Sequence, residues 1–284
     1  MGIAEANMTT AAAGLAKEGK IPVIGSYGVF VTGRNWDQLR TTVCYGDLNV
    51  KICVGHGGIS VGPDGATHQA LEDITLLAVL PNMKVMVPAD AVEAEKATET
   101  MVLKTAGPCA TRFAREATPV VTKPETPFVF GKANVIRFRK ESWKFIDAFE
   151  TKLAQEYSSE GESATVIACG PMLAEAMRAA YILKKTKGTE VRVINLHTIK
   201  PIDGDAIINA AKETGNIVTV EEHQAGGVGN LVAGVVLRNK CCAKMRMIGV
   251  QDSFGETGQP WELTWKFGLA AEQIASAVEE MVGN

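Results

Sequence analysis

The chain has 284 residues, of which 46% are hydrophobic and 21% charged, an ordinary globular composition with enough material for two domains. Its formal net charge of −3 argues against a nucleic-acid partner, because phosphate backbones are bound by concentrated basic surfaces. No window approaches the roughly 18 consecutive apolar residues of a membrane span. The sequence opens without a basic stretch followed by an apolar one. We therefore expect no export signal, no membrane association and a cytoplasmic location.

The six cysteines form no CxxC pair and show no spacing typical of a metal site. Cys44, Cys53 and Cys169 stand among apolar residues, which is typical of small buried side chains. The cysteine pattern thus predicts a reduced protein that holds no metal through these residues.

Short β-branched runs alternate with helical patterns through the first half of the chain, which indicates a parallel sheet covered by helices. Helices are predicted over Glu5–Lys17 and Ala91–Thr105, and Asp90 is placed to cap the second of them. The predicted strands are Ile21–Ser26, Val50–Val54, Lys84–Pro88 and Cys109–Ala114.

The second half repeats this alternation. Its predicted strands are Thr165–Cys169, Glu190–Leu196, Asn216–Glu221 and Arg246–Val250. Its predicted helices are Met172–Lys184, Asp205–Lys212, Asn230–Arg238 and Ala271–Met281. Such apolar strands are expected to be covered on both faces. The sequence predicts an α/β fold of two domains, each a parallel sheet with helices on both faces.

A change of composition lies between the halves: residues 118–127 are rich in Pro and Thr, and residues 137–163 are charged and polar. We predict a first domain over residues 1–137, a linker over 138–163 and a second domain over 164–284. The chain opens directly in a helix, whereas α/β domains usually open with a strand. The first domain is therefore expected to be incomplete at its N-terminus.

The most informative segment spans residues 54–73 and has the sequence VGHGGISVGPDGATHQALED. It places His56, Asp64 and His68 at the carboxyl end of a predicted strand, where open α/β sheets bind ligands. Two histidines and a carboxylate can hydrogen-bond a polyhydroxylated substrate and move protons near neutral pH. A glycine-rich turn with satisfied polar side chains accounts equally well for these residue types, so composition alone leaves both interpretations open.

Order and spacing resemble the transketolase family, in which a histidine is followed by a glycine-rich stretch and then Asp-Gly-x-Thr-His-Gln. Further segments are similar to the family's glutamate motif, aromatic motif, following strand and turn, and C-terminal domain; these are Gly2–Met8, Tyr27–Arg34, Pro81–Asp90, Val220–Gly229 and Phe254–Pro260. The chain most resembles the C-terminal subunit of split transketolases. That resemblance implies a pyrimidine-binding domain followed by a transketolase C-terminal domain.

The resemblance implies thiamine diphosphate as the cofactor and assigns three residues to it. Glu5 matches the catalytic acid that hydrogen-bonds the aminopyrimidine ring and so favours loss of the thiazolium proton. Phe30 matches the ring that stacks on the pyrimidine, and Tyr27 is the nearby aromatic residue of the same motif. The alternatives are a glutamate that stabilises a helix N-terminus and aromatic rings that only pack in the core.

The resemblance also implies transfer of a two-carbon ketol unit between sugar phosphates, as in the pentose phosphate pathway. His56 and His68 match catalytic histidines that contact the substrate, and Asp64 matches a further substrate-binding residue. Arg112 aligns with an arginine that binds the sugar phosphate, whose bidentate recognition suits a guanidinium. For Arg115, three residues later, a surface ion pair is the favoured interpretation.

Some of the family pattern differs or is missing. Gly57 and Gly58 follow His56 where the common pattern has Asp-Ser, and Pro63 stands where an acidic residue is usual. No segment resembles the Gly-Asp-Gly…Asn motif that holds Mg²⁺ and the diphosphate. The resemblance therefore implies an N-terminal diphosphate-binding partner subunit that holds the Mg²⁺, assembled with this chain as a dimer of heterodimers.

Other functions stay open at this stage. The chain could be a thiamine enzyme similar to 1-deoxyxylulose-5-phosphate synthase or to a 2-oxoacid dehydrogenase β-subunit, or an inactive truncated fragment. The pairing of His56 with Thr67-His68-Gln69 favours transketolase. The glycines of 226–229, which could form an anion site, are explained equally well by a tight turn, and His197, Lys200 and His223 are assigned no function.

Overall fold

The computed structural model describes residues 1–283. These residues form two α/β halves, each built around one sheet. The α-helices are α1 (Glu5–Lys17), α2 (Gly28–Gly33), α3 (Asp73–Ala78), α4 (Ala91–Glu99), α5 (Met172–Lys187), α6 (Gly204–Thr214), α7 (Val228–Arg238), α8 (Pro260–Lys266) and α9 (Ala271–Val282). The strands are β1 (Val23–Tyr27), β2 (Lys51–Gly55), β3 (Lys84–Met86), β4 (Cys109–Arg112), β5 (Asn134–Phe138), β6 (Phe149–Leu153), β7 (Ala164–Ala168), β8 (Val191–Asn195), β9 (Thr198–Lys200), β10 (Asn216–Gln224) and β11 (Lys244–Val250).

Within residues 1–283 the first sheet has the order β1-β2-β4-β3-β9 and the second the order β11-β10-β7-β8-β5-β6. The predicted parallel pairing is confirmed for β1, β2, β4 and β3 and for β11, β10, β7 and β8. Three strands add antiparallel pairs that the sequence did not predict: β9 on β3, and β5 on both β8 and β6. The sheets are therefore mixed, with parallel centres.

The predicted division of the chain needs correction. β5 begins inside the predicted first domain of residues 1–137 but pairs with β8, and β6 lies inside the predicted linker of residues 138–163 but pairs with β5. Part of the predicted linker thus supplies an edge strand of the second sheet. The chain instead leaves the first sheet in the irregular stretch between β4 and β5, and β9 later returns to it.

Local signals explain where several helices begin and end. Asp90 accepts a hydrogen bond from the backbone N–H of Glu93 at 3.0 Å and caps α4, as predicted. The predicted helix Ala91–Thr105 is α-helical only to Glu99 and continues as a π-helical turn over Thr100–Lys104. Gly188 ends α5 with a left-handed backbone, φ 68°, a conformation that glycine adopts without steric cost.

Helices cover both faces of the second sheet. Side chains of α5 and α9 pack in one apolar cluster, and side chains of α6 and α7 pack in another. The second cluster also contains Ile52 and Val85 from the first sheet, so the two halves share a core. Each fully buried Val, Ile or Leu contributes roughly 1.5–3 kcal/mol, so this shared core stabilises the contact between the halves. Across residues 1–283, no helix is long and apolar enough to cross a membrane.

Candidate active site

The candidate active site lies at the carboxyl ends of β1 and β2, which are parallel neighbours paired up to Tyr27 and Gly55. His56 directly follows β2, so the register brings it beside Tyr27. The two rings stack with centroids 3.9 Å apart. Since open α/β sheets bind ligands at this end of their strands, the position fits a functional role.

Phe30 and His68 complete an aromatic group around Tyr27. Helix α2 begins directly after β1, so Phe30 lies in its first turn with its ring centroid 5.9 Å from that of Tyr27. The His68 ring meets Tyr27 edge-on at 5.5 Å and Phe30 edge-on at 5.3 Å. Residues separated by up to 41 positions in the sequence thus form one cluster, and the four rings remain partly exposed.

Glu5 lies at the first residue of α1 and is only 9% exposed. Its carboxylate is 3.5 Å from Nη1 of Arg34, whose guanidinium carbon lies 4.0 Å above the Phe30 ring. Arg34 thereby joins the acid to the aromatic group. No role for Arg34 follows from the sequence alone, although Arg34 ends the same aromatic motif as Tyr27 and Phe30.

Asp64 and Arg115 form a second charged pair at the site, 3.4 Å apart, with side chains 26% and 29% exposed. Arg115 also donates a hydrogen bond to the carbonyl of Val61 at 2.8 Å. Burial lowers the pKa of His56, and the positive charge of Arg115 lowers it further. Arg115 does form the ion pair expected from the sequence, but this ion pair belongs to the candidate site.

Arg112 is buried and is not exposed at the candidate site. Its side chain is 2% exposed; Nε lies 2.7 Å from Asp73 Oδ2, and Nη1 lies 3.1 Å from Glu222 Oε1. Its Nη2 atom is buried as well. This burial argues against the predicted role of Arg112 as a phosphate ligand. Arg112 instead joins the two halves of the chain through a buried ion network.

The two glycines after His56 have a steric reason. A Cβ at Gly57 would overlap the Arg112 guanidinium, and a Cβ at Gly58 would overlap the Glu222 carboxyl. Gly58 also has φ 87°, a conformation that residues with side chains rarely adopt. Glycines replace Asp-Ser at these positions because any side chain there would clash with the buried Arg112–Glu222 pair.

Three further polar residues at or near strand ends, Glu221, His223 and His197, are buried. Glu221 accepts hydrogen bonds from the backbone N–H groups of Val228 at 2.7 Å and Gly229 at 2.9 Å, so the protein's own carboxylate occupies the N-terminus of α7. His223 and His197 are 1% and 0% exposed. Burial lowers the pKa of His223, and it lowers that of His197 to about 4. Within residues 1–283 no group of three or more His, Cys, Asp or Glu is arranged to hold a metal ion.

Two family models match the chain. The transketolase pyrimidine-binding domain matches residues 1–120, and the transketolase C-terminal domain matches residues 154–274. A putative transketolase C-terminal section from Methanocaldococcus jannaschii is 37% identical over 98% of this chain and 81% of its own length. The 6-deoxy-6-sulfo-D-fructose transketolase subunit SqwH from Clostridium sp. is 35% identical over 99% of this chain and 80% of its own length.

Among solved structures, a split-gene transketolase described as an inactive β4 tetramer matches with a TM-score of 0.83 and 36% identity, over 100% of this chain and 83% of the other. Transketolase from Campylobacter jejuni matches with a TM-score of 0.76 at 20% identity, over 97% of this chain and 38% of the other, which shows the shared fold. The family models and the split relatives together cover both sheets and the site between Glu5 and Arg115. The chain belongs to the transketolase family and contains regions that match its pyrimidine-binding and C-terminal domains.

Proposed function

We propose that this chain is the C-terminal subunit of a cytoplasmic transketolase that transfers a two-carbon ketol unit between sugar phosphates. The main support is the convergence of Glu5, Tyr27, Phe30, His56 and His68 at one sheet edge. A relative from Phocaeicola vulgatus, named as one subunit of an apulose-4-phosphate transketolase, is 33% identical over 82% of its length, which supports a subunit role. All six cysteines are free, which fits a reducing compartment.

The residues at the site suit the pyrimidine half of thiamine diphosphate. When bound, this cofactor supplies the thiazolium carbon that accepts the ketol unit. The buried Glu5 carboxyl would hydrogen-bond the aminopyrimidine ring nitrogen, the Phe30 ring would stack on the pyrimidine, and Tyr27 would support Phe30 from the side. A carboxyl and an aromatic face in one partly covered site are the two features that an aminopyrimidine ring needs.

The histidines would act on the sugar. Burial and Arg115 lower the pKa of His56 and so favour its neutral imidazole, which can accept a proton from a substrate hydroxyl. His68 lies across the same aromatic group and would hydrogen-bond a neighbouring oxygen. Asp64, on the outer side of the site, would bind a further hydroxyl.

Arg115, rather than Arg112, is the arginine that we expect to contact the substrate phosphate. It is partly exposed and lies beside His56 and Asp64. Loss of a charge-assisted hydrogen bond of about 1.5–3 kcal/mol corresponds to roughly ten- to a hundredfold. Arg115→Ala should therefore raise KM for phosphorylated sugars by that factor in steady-state assays and leave KM for unphosphorylated sugars nearly unchanged.

Arg139→Ala is the matched control, because Arg139 forms ion pairs with Glu150 and Glu160 at the edge of the second sheet. It should keep the KM of the unmodified enzyme for both kinds of sugar. Equal losses with phosphorylated and unphosphorylated sugars in Arg115→Ala would remove the proposed phosphate contact.

We propose that a separate N-terminal subunit holds the diphosphate and its Mg²⁺, with two copies of each subunit in the enzyme. No part of the sequence resembles the motif that binds these groups. Met1 and Ile3, next to Glu5, are 73% and 88% exposed, as expected of a surface that a partner covers. The similar split-gene protein is described as inactive in its β4 form, which supports a requirement for the other subunit.

The chain alone should therefore bind thiamine diphosphate weakly or not at all. Titration calorimetry of the isolated chain with cofactor and Mg²⁺ measures this, and adding the N-terminal subunit should restore binding. Tight binding by the isolated chain would contradict the split-enzyme proposal.

A second candidate function is supported by relatives named 1-deoxy-D-xylulose-5-phosphate synthase. One from Gloeothece citriformis is 34% identical over 98% of this chain, which spans 40% of that protein. The presence of both His56 and His68 around Tyr27 favours transketolase. Assays of the reconstituted enzyme with a ketose phosphate donor, and separately with pyruvate and an aldose phosphate, distinguish the two activities; failure of both supports an inactive fragment.

A further inference from the structure

Two segments of the second half lie against the loop that carries both site histidines, which we call the histidine loop (residues 56–69). Glu222 on β10 is 2% exposed, and its Oε2 accepts a hydrogen bond from the backbone N–H of Ser60 at 3.2 Å. At the other end of the loop, Gln69 donates a hydrogen bond to the carbonyl of Glu256 at 2.9 Å. The C-terminal domain thus holds the histidine loop near both histidines.

The conformation at His56 needs such support. His56 has φ 56°, in the left-handed region that is unfavourable for a residue with a side chain. The residues after it are fixed in turn: Gly57 N–H donates to the Phe113 carbonyl at 3.1 Å, and Gly58 N–H donates to the Ala70 carbonyl at 2.9 Å. These two bonds come from the first half of the chain, whereas the bond at Ser60 comes from the second half.

Glu222 meets two donors with its two carboxylate oxygens. Oε2 accepts from Ser60 N–H, and Oε1 accepts from Arg112 Nη1 at 3.1 Å. Arg112 is held in turn by Asp73 at the start of α3. The absence of side chains at Gly57 and Gly58 admits the guanidinium and the carboxyl to within contact of the loop backbone. The arrangement is specific, since each partner is buried and each oxygen has its own donor.

We propose that Glu222 is a positioning residue, by which the C-terminal domain holds the histidine loop so that His56 and His68 face the aromatic group at Tyr27 and Phe30. Its effect on turnover rests on the proposed transketolase function, whereas its effect on the loop can be measured on this chain alone. The C-terminal domain therefore has a defined task at the site, although, up to residue 283, none of its rings contacts the aromatic group.

Glu222→Gln tests this with little change of shape. A glutamine has one acceptor and one donor group. It can accept a hydrogen bond from Ser60 or from Arg112, but its NH₂ group then faces the donor of the other residue. Glu221→Gln is the matched control: the same change, one residue earlier on the same buried strand, but directed at the N-terminus of α7. Gly58→Ala tests the same contact from the loop side, in case Glu222→Gln does not fold.

Hydrogen–deuterium exchange of the full chain, followed by mass spectrometry, is the first measurement. In Glu222→Gln and Gly58→Ala, amides of residues 57–62 should exchange about tenfold faster, the factor that one lost hydrogen bond corresponds to. In Glu221→Gln the increase should appear at the start of α7 and not in the loop. Unchanged loop exchange in Glu222→Gln, or the same increase in Glu221→Gln, overturns the proposal.

The second measurement is the pKa of His56, from proton NMR of a chain that has only four histidines. A released loop exposes His56 to water, so its pKa should rise towards the ordinary value in Glu222→Gln and stay low in Glu221→Gln. In the enzyme reconstituted with the N-terminal subunit, Glu222→Gln should lower kcat about tenfold or more through misplacement of the histidines. A released loop with unaltered kcat would overturn the positioning role, and an inactive unmodified enzyme with a released loop would instead count against the proposed function.

Discussion

Replacing Glu5 by glutamine in the enzyme reconstituted with its diphosphate-binding subunit should slow hydrogen–deuterium exchange at the thiazolium carbon by roughly 10²–10⁴-fold, the range typical of a lost acid–base group. Glutamine keeps the size and most of the hydrogen bonding of Glu5 but cannot share an acidic proton. The effect should appear without any sugar, because Glu5 lies near Phe30 and would act on the cofactor rather than on the substrate. Exchange is followed by proton NMR after acid quench.

His68→Ala is the companion experiment that separates the two roles. It should leave this exchange nearly intact and lower sugar turnover by roughly 10²–10⁴-fold, because His68 would act on the substrate. Turnover and exchange are measured on the same preparations. Loss of exchange in both variants would indicate a collapsed site and contradict the division of roles.

Glu18→Gln is the matched control for Glu5, since Glu18 lies exposed at the other end of α1. It should behave like the unmodified enzyme in both assays. If Glu5 only stabilised the N-terminus of α1, Glu5→Gln would cost about 0.3–1 kcal/mol of helix stability and leave the exchange rate unchanged. That outcome would falsify the cofactor role.

Much of the fold follows from local patterns. The helix predicted over Glu5–Lys17 is confirmed at both ends, and the apolar strands of both sheets were predicted within a few residues. Local sequence signals determine these elements: apolar strands alternate with amphipathic helices, and residues such as Asp90 cap helices. Periodicity therefore carries most of the architecture.

The strands that were missed depend on distant partners. β5 contains Arg137, a charged residue that is unfavourable in a buried strand unless it is paired, and its partners Glu162 and Glu190 lie 25 and 53 residues away. β9 has three residues, and its partner β3 lies more than 100 positions earlier in the sequence. No local window contains these pairings, so the sequence predicted a linker where the second sheet has an edge.

The same reason explains why the two arginines differ in accessibility. Arg112 and Arg115 stand three residues apart, and their surroundings in the sequence do not indicate which one is accessible. Arg112 is buried because Asp73 and Glu222, 39 and 110 residues away, supply carboxylates to it. Arg115, which has no such buried carboxylate partners within residues 1–283, is partly exposed and lies beside His56. Residue types indicate the candidate site residues, but tertiary pairing decides which of the two arginines is accessible beside them.

Arg112→Ala should lower the free energy of unfolding of the isolated chain by roughly 3–5 kcal/mol, because Asp73 and Glu222 would remain buried without a cation. Arg115→Ala, which removes a partly exposed pair, should cost at most about 1 kcal/mol. Guanidinium unfolding followed by circular dichroism measures both. Removing the stranded charges too, in Arg112→Met with Asp73→Asn and Glu222→Gln, should recover most of the loss, because the penalty comes from uncompensated charge rather than from lost attraction. Equal stabilities of Arg112→Ala and Arg115→Ala would mean that Arg112 is open to solvent, and would restore it as a candidate for binding the substrate phosphate.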